Sequence, residues 1–253
     1  MASTLLSFAP MIDSECCRFV LNHYDVAYRE TPHVFGWASV LALVHGGTPR
    51  IPLWYGDGPR CAGPRAIVDY QETKCPPEKR LIPANSQLAM QVNADWARFN
   101  GILAGSTAAL AYYYLLPHRD IMIEPFCHGV PSAEAAAVKM AYPAFAGLFR
   151  LLLRLSPETA ANALTQTRIL FDEADRRLSG GVPYLVGEAV TLGDVGLATA
   201  AAPLLLPDNY GAPIPAFAVM PPELQAIITE LRQHPTAGFV QRIFRDHGPP
   251  VTK

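Results

Sequence analysis

Along the first third of the chain the pattern of apolar and polar positions changes every few residues. Thr4 to Phe8 is a short apolar run, the length of a buried strand. Ser14 to His23 follows as a helix with Phe19 and Val20 on its apolar side, and Ala27 to Glu30 reads as a second strand. His33 to His45 has helical spacing and stops at Gly46-Gly47. Ile51 to Tyr55 is a third strand, bounded by Pro49 and a turn at Gly56-Asp57-Gly58. Cys61 ends a fourth strand, and Pro64 to Glu72 is a helix. This alternation predicts a small α/β unit. Thr73 to Pro83, with Pro76, Pro77 and Pro83, reads as a linker.

Beyond the linker the apolar positions recur at helical spacing only. The pattern predicts helices over Ser86 to Leu116, Ala133 to Leu155, Pro157 to Leu178, Leu192 to Ala202, Pro222 to Arg232 and Thr236 to Arg245. Pro143 is expected to kink the second of these, since proline removes an N–H and clashes with the preceding turn. Pro203 to Pro222 is a proline-rich connection.

Composition narrows the function. Half of the 253 residues are hydrophobic, enough for a sizeable core. Charged residues make up 17% and the net charge is -2, which argues against nucleic acid as partner. MASTLLSFAP carries no basic n-region, so no signal peptide is expected. The longest uncharged stretch, Asn100 to Pro117, is short for a membrane span, so no membrane partner is expected. Cys16, Cys17, Cys61, Cys75 and Cys127 form neither a disulfide framework nor a zinc-ligand spacing. A reducing cytoplasm is the expected location, and no metal is expected.

The sharpest local signal is YLVGEAVTLGDVGLATAA, residues 184 to 201. Thr191 and Asp194 stand three apart before an apolar helical run, the arrangement of a capping box, and their role is structural. The surrounding words resemble the hallmark segment of the C-terminal helical domain of the glutathione transferase family. RQHPTAGFVQRIFRDH, from Arg232, is similar to that family's last helix, RIPLW to its cis-proline strand, GPRAIVDY to its third-helix start, and CRFVLNHYDVAYRE to its first helix and second strand. These stretches follow the family's order and together span most of the chain, from Cys17 to His247. The resemblance implies an α+β chain: a thioredoxin-like domain over residues 1–75, a linker over 76–84 and an all-helical domain over 85–253. It also implies a glutathione site on the first domain, an apolar co-substrate site between the two, and a homodimer.

Carried over position by position, the resemblance makes Pro52 the cis-proline, leaving the backbone of Ile51 to pair with the cysteinyl part of glutathione. At Gly63-Pro64 it expects an acid and a hydroxyl residue that hold the γ-glutamyl group at a helix N-terminus. Pro64 is a sound first helical residue, but it has neither hydroxyl nor N–H, and Gly63 has no side chain. Arg65 offers either a replacement charge or simply a solvated helix residue. The thiol-activating position falls on Met11, which cannot donate a hydrogen bond. A longer loop moves it to Ser14, which is equally a natural N-cap. Cys16 or Cys17 is either a nucleophile with a lowered pKa or a buried core thiol.

For the apolar site the candidates are Tyr112, Tyr113, Phe217 and Met220. Tyr112, Tyr113 and Tyr114 are consecutive on a helix and cannot all face one way. His118-Arg119-Asp120 reads as a base or as a helix C-terminus with a favourable cation. The expected function is a glutathione transferase-like enzyme that uses the glutathione thiolate on a small hydrophobic electrophile. The alternative is a transferase-like protein that has lost glutathione and binds another small molecule or serves a structural role. A third possibility is thiol chemistry at Cys16 or Cys17.

Overall fold

The structure is a computed structural model that describes residues 3–56 and 58–249; Asp57, the centre of the expected turn, lies outside the described residues. The N-terminal elements run β1 Ser3–Ser7, α1 Ile12–His23, β2 Tyr28–Pro32, α2 Phe35–Gly46, β3 Leu53–Tyr55, β4 Cys61–Ala62 and α3 Pro64–Gln71. They make a four-stranded mixed sheet in the order β2-β1-β3-β4. Strand β1 pairs parallel to β2, with Ser3 opposite Tyr28, and antiparallel to β3, with Leu5 opposite Trp54. This is a thioredoxin-like arrangement. Pro32 ends β2, which lies at the sheet edge, where a missing N–H does no harm.

The rest of the chain is helical: α4 Ser86–Trp96, α5 Ala104–Leu115, α6 Arg119–Cys127, α7 Ser132–Met140, α8 Tyr142–Leu152, α9 Pro157–Leu178, α10 Leu192–Leu205, α11 Pro222–Leu231 and α12 Pro235–His247. Among the described residues no single helix is long and apolar enough to cross a membrane. Three expectations need correction. The helix read over Ser86 to Leu116 is broken by a π-helical run, Ala97–Leu103. The kink expected at Pro143 is a full break: α7 and α8 meet at 85°, with Pro143 in the first turn of α8, where its missing N–H costs nothing. His118-Arg119-Asp120 starts the unpredicted helix α6 instead of ending one, with His118 at its N-cap.

Helix α10 is the centre of the molecule; every residue from Leu192 to Leu205 except Pro203 is buried. It packs on α1, α4, α5, α12 and the π-helical run. Close approach requires glycine at 193, since a Cβ there would lie 2.8 Å from that of Asp95. The expected capping box is present. The Asp194 carboxylate accepts from the Thr191 N–H at 2.7 Å and the Leu185 N–H at 2.8 Å, so it fixes the entering loop as well as the helix end.

A buried charge network ties the first helix to its surroundings. Arg18 donates to Glu15 at 2.7 Å and to both carboxylate oxygens of Glu30, at 2.9 and 2.7 Å. Glu15 also accepts from the Gly211 N–H at 3.1 and 3.0 Å, which holds the proline-rich connection against α1.

Candidate functional site

The start of α3 is built for a turn. Gly63 has φ of 87°, a left-handed conformation that favours glycine, and its N–H donates to the Pro52 carbonyl at 2.8 Å. The Ile51–Pro52 bond is cis. Pro64 follows as the first helical residue and brings no donor to the helix end. Arg65 does not turn back toward that end. Its Nε donates to Asp69 at 2.7 Å and another guanidinium nitrogen donates to Asn93 at 2.7 Å, which holds it along α3 toward α4.

The groups considered for thiol activation mostly point into the core. Met11 occupies the N-cap position of α1 and makes no side-chain cap. Ser14 is therefore not the N-cap, as its residue type suggested. It is fully buried, and its hydroxyl donates to the Phe8 carbonyl at 2.9 Å. Cys16 and Cys17 are also fully buried, and burial pushes both thiols well above their usual pKa. Burial outweighs the Thr199 hydrogen bond at Cys16 and the Arg18 charge at Cys17, both of which favour the thiolate.

Between the sheet domain and the helices lies a cavity of about 380 Å³. Its floor is the face of the π-helical run and α5 that carries Asn100, Gly101, Ala104, Gly105, Ala108 and Tyr112. The small residues leave the room: a Cβ added at Gly101 or Gly105 would meet nothing within 4 Å. Phe8, Phe35 and Phe149 form an aromatic wall, with ring centroids 5.4 to 5.8 Å apart. Tyr210, Pro213, Ile214 and Pro215 of the connection close it from above.

Of the four residues expected at an apolar site, only Tyr112 lines this cavity. Its hydroxyl has no hydrogen-bond partner among the described residues, and burial raises its pKa. Tyr113 is turned away to an edge contact with Tyr114 at 5.0 Å, as the helical phase requires. Phe217 lies under the Arg232 guanidinium at 5.2 Å, and Met220 is a core residue. Met11 lines the cavity; Ile51, Pro52, Pro64 and Arg65 do not.

Asp13 is the residue that sequence reasoning missed. Among the described residues it is the one charged residue lining the cavity. Asn100 donates to its Oδ1 at 3.1 Å, across the two domains. Burial pushes the carboxyl above its ordinary value, opposed by the Asn100 hydrogen bond and by the Arg50 charge. Arg50 immediately precedes Ile51 and the cis-proline. The sequence held one signal, an acid in the first turn of a helix, and that signal equally describes an ordinary dipole partner. Tyr210 has a buried hydroxyl with no partner among the described residues, near Glu15 and Arg18.

No protein-family model matches this sequence, and no curated protein matches it. Solved structures do. A glutathione S-transferase from Xanthobacter autotrophicus is 14% identical over 99% of this chain and 96% of its own, with a TM-score of 0.64. A glutathione S-transferase from Methylobacillus flagellatus, solved with glutathione bound, is 16% identical over 98% of this chain and 100% of its own, at 0.60. The beta-etherase LigF from a Sphingobium species is 14% identical over 96% and 99%, also at 0.60. Over its full length the chain therefore has the glutathione transferase fold, as a divergent sequence.

Proposed function

We propose that this chain binds a small apolar molecule in the cavity between its domains and does not grip glutathione in the way the resemblance implies. The observation that carries this reading is a contrast between two sites. The cavity is open, apolar and within the size range of small-molecule sites. The α3 start, where the γ-glutamyl group belongs by resemblance, offers Gly63 and Pro64, with Arg65 held by Asp69 and Asn93. Hydrogen bonds to charged groups are worth roughly 1.5–3 kcal/mol each. Losing two weakens glutathione on the order of a hundredfold or more.

Two titrations of the intact chain test this. A neutral fluorescent apolar probe is expected to bind with micromolar affinity, and calorimetry with millimolar glutathione is expected to give no heat. Tight glutathione binding would overturn the reading and restore the second one, a glutathione-using enzyme acting on a small hydrophobic electrophile. That second reading is favoured by the structural likeness to a transferase solved with glutathione bound. In it, glutathione would be held by the Ile51 backbone beside Pro52 and by the α3 end, and Tyr112 would face the electrophile. The chain is further expected to be a homodimer, which light scattering tests as a mass twice 27.5 kDa.

A further inference from the structure

We infer that the cavity selects an apolar amine, with Asp13 supplying the counter-charge to its ammonium group. This rests on reading the cavity as a ligand site and names the chemistry of what enters it.

The lining is apolar except at few points, and among the described residues it carries a single carboxyl, that of Asp13. Asn100 occupies Oδ1 of Asp13 from one side. The second carboxylate oxygen has no hydrogen-bond or ion-pair partner among the described residues. A cation placed on that oxygen would offset the desolvation that the apolar walls impose on the carboxylate. Arg50 acts on it only at a distance; it is exposed and forms no ion pair with it among the described residues. An amine entering the cavity brings a positive charge and N–H donors to the oxygen that lacks them. A charge-assisted hydrogen bond of this kind is roughly twice as strong as a neutral one.

The walls suit the same ligand. Phe8, Phe35 and Phe149 present aromatic surface, which attracts a cation through the ring quadrupole. The small-residue face from Gly101 to Ala108 gives an apolar tail a surface to lie along. An alcohol of the same shape would supply a donor without the charge, and a carboxylic acid would place like charges together.

The test uses the full chain, a neutral fluorescent apolar probe, and displacement by octylamine, octanol and octanoate. Octylamine is expected to displace the probe at about tenfold lower concentration than octanol, with octanoate weakest. Asp13→Asn keeps the size of the side chain and its acceptor for Asn100. It is expected to bring octylamine to the level of octanol and to leave octanol within about twofold. Equal displacement by octylamine and octanol in the parent chain overturns the amine assignment while leaving the cavity reading intact. So does an amine preference that survives Asp13→Asn. A probe that fails to bind overturns the cavity reading, and this inference falls with it.

Discussion

At Asp13 a carboxyl stands in the first turn of α1, faces an apolar cavity and accepts one hydrogen bond from Asn100. Its folded-state pKa is raised above the ordinary 3.8. The stability it contributes is therefore full below the unfolded value and lost as pH rises through the folded one. Ionising Asp13 therefore costs the folded chain stability, and Asp13→Asn removes that cost. The variant is expected to melt above the parent chain at pH 7, and the gap should narrow as pH falls toward about 4. Thermal unfolding followed by circular dichroism at a series of pH values checks this. A gap that widens on acidification contradicts it. The role of Asp13 was illegible in the sequence because it comes from Asn100, 87 positions away, and from aromatic walls supplied by other elements. The burial of Ser14, Cys16 and Cys17 was hidden for a related reason. Their residue types suit both a reactive loop and a core, and the packing of α1 against α10 and α3 decides between them.

Helix ends carry the next level. At α10 the Asp194 carboxylate serves two backbone N–H groups and the Thr191 hydroxyl. Asp194→Ala removes the cap and strands a buried donor, a loss of about 2–4 kcal/mol. Urea unfolding should show it as a lower midpoint with unchanged slope. At α3 the opposite repair is available. Pro64→Ser restores a hydroxyl and an N–H at the helix start and is expected to raise glutathione affinity by about tenfold or more. Calorimetry on parent and variant reads this directly, and an unchanged titration would show that Pro64 is not what weakens the site. Element order was largely legible, because strand and helix periods differ and the glycine and proline stops are clear. The breaks within the helical half were less so. A π-helical run has no composition of its own, and α6 hides behind Pro117 and carries Pro125 inside it. Pro143 announced a disturbance, but whether a proline bends a helix or starts a new one depends on what the two halves pack against.

At the scale of the whole molecule, the two domains meet without filling the space between them. The cavity of about 380 Å³ is lined there by Gly101, Ala104, Gly105 and Ala108, and at both glycines an added Cβ would meet nothing within 4 Å. Glycine inside a helix also lowers its stability by about 1 kcal/mol relative to alanine. At Gly105 that cost falls on the face that lines the cavity, which the proposed ligand site explains. Gly105→Leu separates folding from binding. An added Cβ there meets nothing within 4 Å, and Gly105 lines the cavity, so a longer side chain is expected to occupy it without displacing backbone. The variant is expected to gain about 1 kcal/mol from helix propensity, with more from apolar burial. It should also lose most of its affinity for the neutral apolar probe. Unfolding free energy and probe titration on the same sample check the two together. A variant that is more stable and still binds the probe as tightly as the parent would place the ligand elsewhere. A variant that is less stable would mean that the open face at Gly105 is needed for the fold itself.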